Sequence, residues 1–453
     1  MKKTHLLSAL VVTVLIAAVG PAFAQQPLAA GQSSQTWMDR PEMTGDWFRA
    51  RPILSDHGLD VFGAYSAEVW GNTTGGLKTG TVYTGLLNFG ANLDLDKAVG
   101  WEGATISTNW LWISGRDASA DLVGNFLTIS NIAGFATLRL LELWFEQKLL
   151  DDRLALRIGQ LAADSEFTIS DYGALFLNAT FGWPPFASLN MPEGGPGYPM
   201  GTLGAHVSLE PVDWLKIQSA VFQGDVFAQN VNRHGFRWRL NAETGYTFMN
   251  EVRVHWNHRD DESGLPGQLK AGVWAQSGRY ANPLADSTSS GNYGFYAILD
   301  QLLYREPSPS TPGDGKSAID PKSAKSLKTP AAVEKNDEGL GFFGRVAFTP
   351  ADRNFNNFYF DTGLTYKGLL PTRNNDTVGI AFAYAQISNG ARSSLAADGA
   401  NPIGAEMVLE FTYQAQISPA LSIQPDLQYI INPGCNSNLG NALVIGARAS
   451  VTF

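Results

Sequence analysis

The chain has 453 residues, of which 16% are charged and 11% aromatic, with 47 glycines and a net charge of −10. A chain that is 44% apolar can bury a core, so disorder is excluded. The acidic balance argues against nucleic acid, which needs a clustered basic excess, and a single cysteine, Cys435, excludes a disulfide scaffold or a cysteine-rich metal site.

The N-terminus opens with Lys2 and Lys3, then an apolar run at 6–19, then Pro21-Ala22-Phe23-Ala24. A positive start, a short apolar core and small residues before the break predict a secretory signal peptide over 1–24, cleaved ahead of Gln25. Residues 25–58 then form a periplasmic segment, and 59–453 the folded body. Past the signal, no apolar run approaches the ~18 residues of a spanning helix.

Downstream the dominant pattern has a period of two. Leu87, Phe89, Ala91, Leu93 and Leu95 alternate with Asn88, Gly90, Asn92, Asp94 and Asp96, and Met407, Leu409, Phe411 and Tyr413 alternate with Glu406, Glu410, Thr412 and Gln414. Such alternation places one set on each face of a strand. The predicted strands run to about ten residues, the length a tilted strand needs to cross a bilayer. Aromatics sit near their ends (Trp101, Trp110, Trp112, Trp214, Trp256, Tyr366, Tyr429), as an interfacial girdle requires. Together these predict an all-β fold, an outer-membrane antiparallel β-barrel.

Strand starts fall near Leu59, Leu87, Ala104, Leu138, Leu154, Thr202, Leu215 and Gly245, then near Gln268, Gly294, Leu340, Phe358, Thr377, Ala405, Leu421 and Ala442. That makes about sixteen, an even number as the two periplasmic termini require. Residues 235–244 also alternate and are assigned to a loop to keep the count even. Turns at 97–103, 150–153, 211–213 and 418–420 are short; connections at 114–137, 161–201 and 224–244 are long and belong on the extracellular side. The Pro-, Ser- and Lys-rich stretch at 305–339 reads as a disordered insert on the periplasmic side. The C-terminal strand ends on Phe453, which resembles the signal read by the barrel assembly machinery.

Motifs for catalysis are missing: there is no G-x-S-x-G, H-E-x-x-H or P-loop. Gly194-Gly195-Pro196-Gly197 reads as a turn rather than a phosphate cradle. Asp94 and Asp96 share a face, which a metal could use, but inward carboxylates of a polar lumen explain them equally well, and without further clustered ligands no metal is expected. No catalytic residue and no cofactor is assigned.

With aliphatic residues outward, Glu142, Trp144, Glu146 and Lys148 point into the lumen, while Leu141, Leu143 and Phe145 face lipid. Across the turn at Asp151-Asp152, Arg157 points inward. Carboxylates, a tryptophan and an arginine on one wall suit a sugar: charged groups bond hydroxyl pairs, and an aromatic face covers the ring's C–H surface. Arg116 is added to this pore set. The alternative is a set of ordinary lumen residues paired with one another. The loop at 161–201 carries Phe176, Phe181, Trp183 and Phe186; so apolar a loop is costly in water, and is expected to fold into the mouth and constrict the pore. Packing against a neighbouring subunit is the other option.

Long strings of this chain resemble the carbohydrate-selective porin family of the OprB type: 43–47 (M-T-G-D-W), 141–163 (L-E-L-W-F-E-Q-K-L-L-D-D-R-L-A-L-R-I-G-Q-L-A-A), 164–185, 291–300 (G-N-Y-G-F-Y-A-I-L-D) and 413–433. The resemblance implies a sixteen-stranded outer-membrane barrel of a Gram-negative bacterium that admits sugars, glucose-like monosaccharides first, by passive diffusion. Phe48-Arg49 stand where family members often carry two glycines, and the insert is longer than usual. The function expected is a sugar-preferring porin with a carbohydrate substrate and outer-membrane lipid around it, and a homo-oligomer stays open. The alternatives are a general or anion-leaning porin, or a plugged structural or adhesion barrel.

Overall fold

The computed structural model describes residues 36–240, 243–259, 264–281, 288–307 and 338–453. The predicted signal peptide and most of the 305–339 insert lie outside these residues. Sixteen antiparallel strands close into one barrel in which each strand pairs with its chain neighbours and the last returns to the first. The first eight are β1 (Leu59–Gly76), β2 (Gly80–Asp94), β3 (Ala104–Gly115), β4 (Thr137–Leu149), β5 (Leu154–Leu161), β6 (Thr202–Val212), β7 (Leu215–Gln223) and β8 (Tyr246–Trp256). The second eight are β9 (Gly267–Ala281), β10 (Thr288–Arg305), β11 (Gly339–Phe348), β12 (Asn356–Lys367), β13 (Thr377–Ile387), β14 (Ala405–Ser418), β15 (Leu421–Ile431) and β16 (Gly440–Thr452).

Closure removes the free edges that an open sheet would leave in lipid. The seam is sealed by eleven paired positions between β1 and β16 and by Phe453, whose N–H donates to Gly63 O at 2.8 Å. The N-terminal segment lies against the same seam: Met43 N–H donates to Thr452 O, and the helix Ala50–Asp56 leads into β1.

Alternation sorts the wall as expected. In β14, Glu406 and Glu410 are fully buried inside, whereas Leu409 and Phe411 are exposed outside. Residues 235–240 form no strand, in keeping with the even count. Three details differ from the sequence expectations. β2 and β10 begin at Gly80 and Thr288, earlier than Leu87 and Gly294. β2 stops at Asp94, whose carboxylate accepts Asp96 N–H and Lys97 N–H to cap a short helix, Leu95–Val99; Asp94 and Asp96 thus serve a turn. A register shift in β4 opposite Asn109 and Trp110 turns Leu141, expected to face lipid, inward. Leu141 packs with Leu86, Leu111 and Ile113 of the inner wall, because the extra residue of a bulge reverses side-chain parity locally.

Candidate functional site

Two long loops fold into the barrel. The first, 114–137, follows β3; the second, 161–201, follows β5. Burying a loop leaves its backbone groups without water, so the wall must supply partners. On β14, Glu410 accepts Leu177 N–H and Asn178 N–H at 2.6 and 3.0 Å, and Glu406 accepts Leu127 N–H and Phe126 N–H at 2.6 and 3.0 Å. On β11, Arg345 donates to the carbonyls of Thr168, Thr180 and Phe181 at 2.7, 3.1 and 3.0 Å. Asp361 of β12 holds that guanidinium, its Oδ2 accepting Nε–H at 3.0 Å. Lys270 of β9 donates to Ile169 O at 2.7 Å, and Gln424 of β15 to Leu175 O at 2.8 Å.

The loop's aromatics fill the space between these anchors. Phe176, Phe181 and Phe186 are at most 1% exposed. Phe176 and Phe181 pack on each other and on Phe343 with ring centroids 5.1–6.0 Å apart, and Phe186 stacks on Tyr296 at 5.6 Å. Trp183 instead braces the loop itself, donating from its indole N–H to Gly194 O at 2.7 Å. All four belong to one buried cluster, in which the three phenylalanines are packed against the wall and Trp183 also lines a cavity.

That cavity, about 500 Å³, lies between the two loops, with Asp117, Asn131, Asp164, Trp183, Glu193 and Tyr198 in its lining. A second, about 780 Å³, is lined by Asp171 and Tyr172 of the second loop and by Arg305, Thr365, Lys367 and Gln414 toward strand ends of the opposite, short-turn side. Burial pushes the Asp164 carboxyl up to about 6, partly offset by Tyr198 N–H, which donates to its Oδ2 at 2.7 Å. Burial also raises the Asp117 carboxyl, against N–H donors from Ser119 and Ala120.

Glu146, Trp144 and Arg157 come together as strand parity implies. Arg157 donates from Nε and Nη2 to Glu146 at 2.9 and 2.7 Å, from Nη1 to Glu166 at 2.8 Å, and lies 4.3 Å above the Trp144 ring. Arg157 therefore covers one indole face that a sugar could have used. Glu142 lies on the same strand but turns to the loop, accepting Ala162 N–H at 3.2 Å and Ser165 Oγ–H at 3.4 Å. Arg116 belongs elsewhere: it sits beyond β3, exposed, paired to Asp121 at 2.5 Å. None of Glu142, Trp144, Glu146, Arg157 or Arg116 lines either cavity.

Sequence reasoning missed Glu166, Asp117, Asp164 and the anchors Arg345, Glu406 and Glu410 as participants. Parity puts the three anchors inside, but nothing local says that they meet loops far along the chain.

A family model described as "Carbohydrate-selective porin, OprB family" matches residues 78–453. The chain belongs to this family. Porin B of Pseudomonas aeruginosa is 24% identical over 442 residues, covering 91% of each chain. The high-pH structure of OprB from Pseudomonas putida superposes with a TM-score of 0.77 at 22% identity, over 92% of this chain and 100% of that one. The outer-membrane channel DcaP of Acinetobacter baumannii gives 0.52 at 11% identity, over 87% and 97%. As an OprB-family porin, the protein is located in the outer membrane of a Gram-negative bacterium, and its relatives are channels, not enzymes.

Proposed function

We propose that this porin passes neutral, glucose-like monosaccharides into the periplasm by passive diffusion, with the inward loops setting the constriction. The observation that carries the reading is the cavity of about 500 Å³ between the two loops, of a size that suits a small ligand. Its lining offers what a polyol needs: carboxylates and amides for hydroxyl pairs, and aromatic surface for the ring. Apart from that cavity, Arg157 keeps further N–H groups beyond the three it spends on Glu146 and Glu166, so the β4–β5 wall can take a hydroxyl without breaking its ion pairs. Weak contact of this kind speeds flux as long as release stays fast.

The double ion pairing of Arg157 also supports a second reading, in which it only neutralises Glu146 and Glu166. Planar-bilayer conductance with and without glucose separates the two. On the sugar-contact reading, Trp144→Ala weakens glucose block by about two- to tenfold, in line with ~0.5–1.5 kcal/mol for an aromatic contact, and Arg157→Ala weakens it more. Under the second, Arg157→Ala shifts ion selectivity toward cations and leaves block intact. Absence of any glucose block in the wild type would remove the sugar reading altogether.

A further inference from the structure

The connection after β7 behaves unlike the other two long loops. Beyond the pair Leu143 and Gln160, β4 has no β5 partner, and residues 234–238 take that place from outside. Leu140 N–H donates to His234 O at 3.1 Å. The Trp238 indole N–H donates to Gln160 Oε1 at 2.8 Å, and the Phe236 ring lies 5.8 Å from Trp110. Gln160 and Trp110 share the parity of the exposed Ile158 and Trp112, which marks this as the lipid-facing side. Phe236, Trp238 and Leu240 are 51, 45 and 61% exposed there.

The same loop carries three arginines. Arg237 and Arg239 both stand over the Phe227 ring, at 5.1 and 5.2 Å, and Arg233 stands over Phe135 at 5.5 Å. None has a carboxylate partner among the described residues, and the neighbouring Asp225 is occupied with Phe227 N–H. Two guanidinium groups sharing one ring repel each other unless an anion lies close. By the rule that long loops are extracellular, this basic and aromatic surface stands at the height of the outer-leaflet headgroups.

We propose that residues 227–240 bind a phosphorylated glycolipid of the outer leaflet, of the lipid A type. Arg233, Arg237 and Arg239 engage its phosphates, which suit the fork geometry of guanidinium, and Phe236, Trp238 and Leu240 lie along its acyl chains. The apolar part runs on into the lipid-facing residues Leu138, Leu143 and Ile158, all exposed. A two-fold contact through this face would instead gather the arginines of both copies into one interface. The site is independent of what the channel carries.

The test uses the full barrel in detergent, titrated with diphosphorylated lipid A and with the same lipid lacking phosphates, read by native mass spectrometry. Heat-dependent gel mobility shows that each variant is folded. The expected result is tight binding of the phosphorylated lipid by the wild type, and affinity lower by about tenfold or more in R233Q/R237Q/R239Q. Removing the lipid phosphates should weaken the wild type to a similar degree, and F236S/W238S should weaken binding of both lipids. Equal affinity of wild type and triple variant, or of the two lipids, overturns the proposal. So does a lipid-free oligomer that F236S/W238S splits into monomers, since the face would then belong to a second copy.

Discussion

The loops at 161–201 and 224–240 are both rich in aromatics, yet one is swallowed by the barrel, and the other, though Gln229 reaches the mouth cavity, lays residues 234–240 over the outer face of the wall. Charge separates them. The inward loop contains no lysine or arginine, while the outward one has Arg233, Arg237 and Arg239 in seven residues. The wall already supplies buried cations, Arg345 and Lys270, for the inward loop's carbonyls, and carboxylates for its N–H groups. A loop bringing its own cations would compete with that arrangement. Aromatic content therefore says only that a loop seeks cover; its charge says which side of the wall provides it.

Deleting 176–196 tests the comparison most severely. It removes the packed aromatics and should raise single-channel conductance several-fold and abolish sugar preference, whereas F236S/W238S should leave conductance unchanged. Equal effects from the two changes would mean that the inward loop does not set the constriction.

A single anchor should have a smaller but measurable effect. Arg345→Ala strands the buried Asp361 carboxylate and three loop carbonyls, and a broken buried pair costs about 3–5 kcal/mol. Denaturant unfolding should show that loss, with noisier and larger channel openings. Arg237→Ala, exposed and without a carboxylate partner, should leave the unfolding midpoint in place. If Arg345→Ala unfolds like the wild type, the loop is held by its aromatics alone.

The fold was legible because strand parity is a local rule. Alternation marked all sixteen strands, with 235–244 set aside as a loop only by the even count, and turned Glu146, Trp144 and Arg157 inward. It failed where local pattern is interrupted or weak. The bulge opposite Asn109 and Trp110 brought Leu141 inside without any mark in the sequence. β2 and β10 extend beyond the apolar band into segments such as Thr81–Thr84 and Ser289–Tyr293, where the alternation of aliphatic residues fades. The site was less legible, since its partners are distant in sequence. Glu166 reaches Arg157 from a loop, and Glu410 meets Leu177 across 233 residues. The resemblance strings included Glu166 but gave it no role.

The smallest effect concerns Asp164, on the inward loop and in the outer cavity. Its carboxyl is pushed up by burial from 3.8 to about 6. In the unfolded chain the proton leaves near the ordinary value, and in the folded one near 6, so the folded state holds more protons in between. This group's contribution to stability is therefore full below 3.8 and falls as pH rises through about 6. The same ionisation adds a negative charge to a lining that already contains Asp117 and Glu193 and no lysine or arginine. Reversal potentials in a salt gradient should thus show cation preference increasing between pH 5 and pH 7. Asp164→Asn keeps an oxygen to accept Tyr198 N–H but cannot ionise, so its profile should be flatter over that range. An outward substitution, Arg239→Gln, should leave the wild-type profile intact. If Asp164→Asn titrates like the wild type, another group controls the mouth, and Asp117, also raised by burial, is the next to replace.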